Sequence, residues 1–257
     1  MDTIEVRGVR RALGCMPRIS RCGDGTFPVV SEKWRIDEKH WGDAKYKEVA
    51  NRLKALIWHV INQGSQGSCT MCGTLGALKI ARRFSGLDDI VFSQGSLYAY
   101  DSIGSNGEPN LRSSDNGTAI DQGLAVLRVI GACPAKIDGK TYIDQYDWQG
   151  LRRGNWPADH RRVAALNRAL KWVDVPDAHL AISLTKHGIP VVYGANGHCV
   201  VRVTEDEDLN SWDYDWGTNG IGQWVNRRGL ESGIRQYGAW ALLTSTDPLY
   251  DGDVPNV

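Results

Sequence analysis

The sequence lacks any apolar run long enough to cross a membrane, so we expect no membrane-spanning segment. Its first residues, MDTIEVRGVRRALG, lack the apolar stretch of a secretory signal, which favours a protein that stays in the cytoplasm or joins an assembly made there. Neither sign of charge is in excess, with 30 Lys and Arg against 30 Asp and Glu, and like charges form no long run. The sequence therefore predicts neither a nucleic-acid partner nor a membrane partner.

The composition is that of a folded protein. Hydrophobic residues make up 42% and charged residues 23% of the 257 positions, a balance typical of globular domains. Residues 1–50 are polar, rich in Gly, Pro and Arg, and weakly periodic, which predicts an irregular N-terminal extension. Residues 51–257 are long enough to form one large domain, or two closely packed lobes, with a substantial core.

Helical patterns come first in the main domain and strand patterns come later. Apolar or small residues at 72, 75, 76, 78 and 81 predict a helix over 69–84 that ends near Gly86. Further short helices are predicted in the segments 88–103, 119–134 and 176–188. Short β-branched and aromatic segments separated by turns then predict antiparallel strands at 189–194, 198–203, 222–226 and 237–243. This order favours an α+β protein with two lobes.

Two of the six cysteines, Cys69 and Cys72, lie three positions apart at the start of the first of these helices. Nothing in the sequence indicates an oxidising compartment, so we expect most thiols to be reduced. The pair permits three interpretations: a redox pair, a zinc site completed by Cys15 and Cys22, or a nucleophile at Cys69 with a core thiol at Cys72.

Two later segments have the spacing of a thiol hydrolase. His198 and Asn210 follow Cys69 by 129 and 141 positions, close to the ~130–150 at which histidine and asparagine partners follow such a cysteine. Helix N–H groups and a nearby imidazolium both favour a thiolate over a thiol. Cys69 opens the predicted helix, a position that favours the thiolate.

On these segments the chain resembles the papain-like cysteine proteases. The glutamine and nucleophilic cysteine of that family, six residues apart, match Gln63 and Cys69, and its histidine matches His198. Its Asn-Ser-Trp, Trp-Gly and Asn-Gly pieces match residues 210–212, 216–217 and 219–220. The resemblance covers roughly residues 55 to 245. It implies a papain-like catalytic domain over 51–257, with a helical lobe that carries the cysteine and an antiparallel β-rich lobe that carries the histidine and asparagine.

The resemblance also implies the roles of individual residues. Cys69 would be the nucleophile and His198 its proton-transfer partner, while Asn210 would orient the imidazole. Gln63 would form an oxyanion hole with the Cys69 N–H. The residues expected to bind substrate or line the cleft are Gly67, Asn116, Gly117, Gly197 and Trp212.

The chain departs from the family pattern at several points. Thr70 stands where the family has an aromatic residue, and Gln66 replaces a disulfide-forming cysteine. The connection from His198 to Asn210 is short, but a β-hairpin shortened by an even number of residues keeps both side chains on the same face. The first 50 residues are too short for the usual helical prosegment, so they either plug the cleft, dock on a partner or pack on a lobe.

The sequence thus predicts a cysteine endopeptidase that hydrolyses peptide bonds through a thioester intermediate, without a cofactor or a metal. Its substrate would be a peptide or protein, and the N-terminal extension offers a surface for a protein partner or a larger assembly. Two alternatives stay open: a catalytically idle papain-like module that serves as a binding or structural part of an assembly, and an amidase for cell-wall peptides.

Overall fold

The structure is a computed structural model of the chain, and it describes residues 2–6, 9–19, 27–169 and 171–242. Within these ranges the α-helices are α1 (Ala44–Ala55), α2 (Cys69–Phe84), α3 (Gln94–Tyr98), α4 (Ile120–Val129), α5 (Gly150–Arg153), α6 (His160–Ala165), α7 (Ala178–Lys186) and α8 (Arg227–Tyr237). The strands are β1 (Asp2–Val6), β2 (Val9–Leu13), β3 (Cys15–Met16), β4 (Tyr100–Ile103), β5 (Pro109–Leu111), β6 (Thr118–Ala119), β7 (Lys136–Ile137), β8 (Lys140–Thr141), β9 (Trp172–Asp174), β10 (Val191–Ala195), β11 (His198–Arg202), β12 (Asp208–Leu209), β13 (Ile221–Gly222) and β14 (Ala239–Leu242).

A six-stranded antiparallel sheet, in the order β13-β12-β11-β10-β14-β9, forms the β-rich lobe. Along its central hairpin, Val192 pairs with Val201, and both side chains join the core cluster that includes helix α2. The alternate residues Val191 and Val200 belong to the second cluster, with α7 and α8. Both faces of these strands are therefore covered, which explains why their sequences are apolar throughout.

Helix α2 packs against the sheet through small residues. A Cβ atom added to Gly73 would lie 2.8 Å from the sulfur of Cys199, and one added to Gly76 would lie 3.5 Å from a methyl group of Val201. Glycine lowers helix propensity by about 1 kcal/mol relative to alanine. Close contact with β11 compensates for that loss and brings the start of the helix near the start of the strand.

Several predicted elements agree with the structure. The helix expected over 69–84 is α2, and the α+β class is confirmed. Helix α8 was not predicted, because its sequence RRGLESGIRQY is dominated by charged and small residues. No helix in the described ranges is long and apolar enough to span a membrane.

The prediction of an irregular N-terminal extension was wrong for much of the described part. Strands β1 and β2 form an antiparallel hairpin, and β3 pairs in parallel with β6. Helix α1 runs across the boundary expected at residue 50. The short strands take their conformation from pairing partners, one of them 103 positions away (Cys15 with Thr118), which local sequence patterns do not register.

Candidate active site

Cys69 is the first residue of α2, and its side chain is completely buried. Burial raises the pKa of the Cys69 thiol well above its ordinary value, and the neighbouring Cys15 acts in the same direction. The backbones of Cys199 and Gly14 lower the pKa and partly oppose this increase. Cys69 is therefore a neutral thiol in this closed arrangement.

His198 and Asn210 lie together at one end of the hairpin formed by β11 and β12. Imidazole Nε2 lies 2.8 Å from Asn210 Oδ1, which also accepts a hydrogen bond from the Ser211 N–H. Because that oxygen only accepts, Nε2 carries the proton and donates. The Trp212 ring stacks on the imidazole with centroids 4.2 Å apart. The Asn210 contact and the stacked indole together fix the orientation of the ring.

The second nitrogen of the same imidazole is unused. Burial lowers the pKa of His198 to about 4, against a smaller opposite effect of Asn210, so the ring is neutral at pH 7. Its Nδ1 atom has no hydrogen-bond partner among the described residues. A neutral imidazole with a free Nδ1 lone pair is a proton acceptor.

Gln63 is held from both ends of its side-chain amide. Its Oε1 atom accepts a hydrogen bond of 2.6 Å from Ser211 Oγ, and its backbone N–H donates to the Ser211 carbonyl at 2.9 Å. These contacts point Nε2 towards two peptide carbonyls, those of Gln66 at 2.8 Å and Ala12 at 3.1 Å. Ser211 thus sets the direction of the donor, a role that the sequence analysis did not assign.

The hairpin that carries His198 is braced by a buried ion pair that the sequence analysis missed. Arg202 Nε and Asp208 Oδ1 lie 2.8 Å apart, with side-chain exposures of 1% and 0%. Arg202 also donates to the Tyr193 hydroxyl at 3.0 Å, and Asp208 accepts from the Trp224 N–H at 3.0 Å. Since Asp208 lies two residues before Asn210, this network fixes the register that places Asn210 beside the imidazole.

The opposite wall of the site is tied by hydrogen bonds where the family has a disulfide. Gln66, in place of the family's cysteine, donates from Nε2 to the Tyr146 carbonyl at 2.6 Å. The neighbouring Gly67 N–H donates to Asp115 Oδ1 at 2.8 Å, and the same oxygen accepts from the Tyr98 hydroxyl at 2.7 Å. Asp115 therefore holds the loop that leads to Cys69.

A buried arginine supports the segment expected to bind substrate. Arg112 Nη1 donates to the Gly117 carbonyl at 2.7 Å and to Asn116 Oδ1 at 3.1 Å. Thr70, in the position of the family's aromatic residue, donates from its hydroxyl to the Thr118 carbonyl at 2.9 Å. The Asn116 side chain thus turns towards Arg112, whereas the backbone at 117–118 contacts Gly14.

Residues 11–16, which we call the plug, lie across the site between the two lobes. Arg11 donates to the Trp212 carbonyl at 3.3 Å and to Asn62 Oδ1 at 2.9 Å. At the other end, the Cys15 N–H donates to the Gly197 carbonyl at 2.9 Å. The plug therefore makes polar contacts with the β-rich lobe at two points, Trp212 and the turn before His198.

The middle of the plug touches the site most closely. The Gly14 carbonyl accepts from the Thr118 N–H at 2.9 Å. A Cβ atom added to Gly14 would lie 2.1 Å from the Gly67 carbonyl oxygen, and one added to Gly117 would lie 2.2 Å from the Gly14 oxygen. The three backbones meet where only glycine fits. Most residues expected to bind substrate thus contact the plug, namely Gly67, Gly117, Gly197 and Trp212.

The other interpretations of the cysteine pair receive no structural support. Cys69 and Cys72 are both free thiols, and the Cys72 sulfur lies 3.8 Å from Ser68 Oγ within the core. Cys22, one of the expected zinc ligands, lies outside the described residues. Among the residues that are described, no three His, Cys, Asp or Glu side chains are grouped to hold a metal ion.

No protein-family model matches this sequence, and the comparison with curated proteins finds no match. Among solved structures, the chain is similar to xylellain, a cysteine protease from Xylella fastidiosa. The TM-score is 0.61 and the identity 17%, over 91% of this chain and 98% of that one. It is also similar to the digestive procathepsin L2 proteinase of Tenebrio molitor larval midgut, with a TM-score of 0.54, 18% identity, and coverage of 75% of this chain and 66% of that one.

A recombinant stem bromelain precursor gives a TM-score of 0.55 at 13% identity, over 86% of this chain and 76% of that one. At such identities a similarity in structure establishes the architecture alone. The helical lobe with α2 at its centre and the antiparallel β-rich lobe agree with these neighbours. The chain therefore has the papain-like cysteine protease fold, as its sequence predicted.

Proposed function

We propose that the protein is a cysteine peptidase whose site is closed by its own plug. Cys69 is the nucleophile and His198 the proton-transfer partner, and Asn210 holds the imidazole. Gln63 Nε2 and the Cys69 N–H form the oxyanion hole. Gly67, Gly117, Gly197 and Trp212 bind the substrate backbone when the plug leaves.

The observation that carries this proposal is a peptide segment bound in the site by the groups expected to bind substrate. Gln63 Nε2 donates to the Ala12 carbonyl at 3.1 Å, and the Thr118 N–H donates to the Gly14 carbonyl at 2.9 Å. A peptide chain is thus held against the candidate oxyanion donor and, at Gly14, against the loop that leads to Cys69. Groups that bind one backbone through its C=O and N–H groups suit a peptide substrate.

Opening of the plug changes the charge state of the site. Water then reaches Cys69 and His198. Because burial is the largest cause of both pKa shifts, the pKa of Cys69 falls and that of His198 rises. The thiol proton passes to Nδ1 of His198, giving a thiolate at the N-terminus of α2 and an imidazolium held by Asn210. The thiolate attacks the substrate carbonyl, the imidazolium returns the proton to the leaving amine, and water hydrolyses the thioester.

The alternative of a catalytically idle module has one observation in its favour. No hydrogen bond joins the Cys69 sulfur to His198 among the described residues, and the Nδ1 atom of His198 is unpartnered. An idle module would keep this arrangement after the plug is removed, whereas a peptidase would form the ion pair. The two proposals therefore differ in the reactivity of Cys69 in the opened protein.

The test compares the full chain with a chain that lacks residues 1–16. Both are incubated with an epoxide inhibitor of thiol proteases and with an unfolded protein substrate. We expect an adduct on Cys69 and cleavage of the substrate in the shortened chain, and much slower reactions in the full chain. Cys69→Ala should abolish both reactions. Cys133→Ala, which removes another buried thiol outside the site, should leave both unchanged. A folded shortened chain that gives neither adduct nor cleavage would favour the idle module.

A further inference from the structure

Two thiols that the proposed reaction does not use lie on opposite sides of the contact between the plug and the hairpin of β10 and β11. Cys15 belongs to the plug and is 5% exposed, whereas Cys199 follows His198 in β11 and is 0% exposed. The Cys15 N–H donates to the Gly197 carbonyl at 2.9 Å, two residues before Cys199. The backbones of the plug and of β11 are therefore in direct contact at this point.

The Cys15 sulfur lies over the hairpin that carries Cys199. A Cβ atom added to Gly194 would lie 2.8 Å from that sulfur, and Gly194 is the direct cross-strand partner of Cys199. Burial, and after it the neighbouring Cys15 thiol, raises the pKa of Cys199. Paired residues of an antiparallel ladder are only about 4.5–5.5 Å apart, so the Cys15 side chain meets the hairpin at the level of Cys199.

Cys69 is a less suitable partner for Cys15. Cys69 belongs to α2, whereas the Cys15 N–H and the Cys15 sulfur contact the hairpin of β10 and β11, at Gly197 and Gly194. Cys72 lies one turn further into α2, next to Ser68, and belongs to the core. Among the described thiols, Cys199 therefore lies on the hairpin that the Cys15 side chain contacts, directly across from Gly194.

We propose that Cys15 and Cys199 form a reversible disulfide bond that locks the plug over the site. The consequence for activity rests on the proposed function, whereas the bond itself does not. In the reduced protein the plug opens and closes. In the oxidised protein it is joined covalently to β11, and Cys69 stays covered.

The oxidant is a low-molecular-weight disulfide such as oxidised glutathione. When the plug opens, the Cys15 thiolate attacks one glutathione sulfur, and the first glutathione leaves as a thiolate. While the plug is open, the Cys199 thiol gives its proton to the solvent. When the plug returns, the Cys199 thiolate attacks the Cys15 sulfur and releases the second glutathione as a thiolate. Two protein thiols become one disulfide, and one glutathione disulfide becomes two thiols. A dithiol reductant reverses both steps.

The bond is detected by mass spectrometry without any measurement of activity. The reduced full chain is incubated with oxidised glutathione, its free thiols are blocked with N-ethylmaleimide, and it is digested without reductant. We expect a linked pair of peptides that contain Cys15 and Cys199, and its loss after treatment with dithiothreitol. The same pair should form in a Cys69→Ala chain, which separates the lock from the peptidase proposal.

The effect on the site is measured as the rate at which iodoacetamide labels Cys69. We expect oxidation to slow this labelling by about tenfold or more, because a disulfide opposes opening over the whole enclosed loop. Cys15→Ser and Cys199→Ser should each remove the effect, and Cys133→Ser, a buried thiol outside the site, should retain it. A folded chain that links Cys15 to Cys69, or that carries only glutathione adducts, would overturn the proposal.

Discussion

Replacing Gly14 by alanine should open the site. The added Cβ atom would lie 2.1 Å from the carbonyl oxygen of Gly67 and 2.5 Å from its carbonyl carbon, and backbone atoms cannot yield as a flexible side chain can. Overpacking of this kind costs about 1–3 kcal/mol. The cost falls on the closed state alone, because an open plug has no contact with Gly67. Each 1.36 kcal/mol changes an equilibrium tenfold, so the open fraction should rise about 5- to 150-fold.

Exposure of Cys69 reports the open fraction without relying on catalysis. The rate of carbamidomethylation of Cys69 by iodoacetamide, read by peptide mass spectrometry, should rise by the same factor in Gly14→Ala. Gly42→Ala is the matched control. It is another glycine of the N-terminal segment, but an added Cβ there meets nothing within 4 Å. That variant should label Cys69 at the rate of the unmodified protein. Equal labelling of Gly14→Ala and Gly42→Ala in folded proteins would refute the assignment of residues 11–16 as a plug.

Three further predictions concern the packing and electrostatics of the site and are tested by urea unfolding. Asp208→Asn leaves the buried Arg202 without its counter-ion and should lower the free energy of unfolding by about 3–5 kcal/mol; a loss below about 1 kcal/mol would contradict the buried pair. Gly73→Ala should destabilise by about 1–3 kcal/mol because its Cβ would lie 2.8 Å from the Cys199 sulfur, and Cys199→Ala should remove most of that loss; equal losses in both backgrounds would disprove the contact. Burial lowers the pKa of His198 to about 4, so its contribution to stability, about 3 kcal/mol, is present above pH ~6.5 and is lost as the pH falls towards 4. His198→Gln should flatten that part of the pH profile, and an unchanged profile would show that His198 is not buried as a neutral ring.

The parts of the site that the sequence predicted are those governed by local patterns. The face formed by Cys72, Leu75 and Leu78 predicted α2, and the glycines before Cys69 indicated where it begins. The resemblance to the papain-like proteases paired His198 with Asn210, and the two-residue period of a hairpin explained why the short connection still allows this pairing; Nε2 and Oδ1 lie 2.8 Å apart. Helix and hairpin periods are local, so both expectations could be stated without knowing a distant partner.

The missed residues owe their roles to distant contacts. In TEDEDLN, Asp208 looks like its exposed acidic neighbours, but it is 0% exposed because Arg202 and the Trp224 N–H enclose it. Asp115 lies in a polar loop typical of a turn, yet it accepts hydrogen bonds from Gly67 and Tyr98. A carboxylate in a turn and a carboxylate in a network have the same local sequence, and the fold alone distinguishes them.

The plug and the proposed chemistry have opposite effects on the protonation states of Cys69 and His198. With the plug in place, burial raises the pKa of Cys69 and lowers that of His198, so both groups are neutral and the sulfur is a poor nucleophile. Without the plug, solvent and the N-terminus of α2 favour the thiolate and the imidazolium. Formation of the ion pair therefore favours the open state, while closure suppresses the ion pair. Covering the site lowers its reactivity in two ways. The plug blocks access of the substrate, and burial keeps the Cys69 thiol protonated.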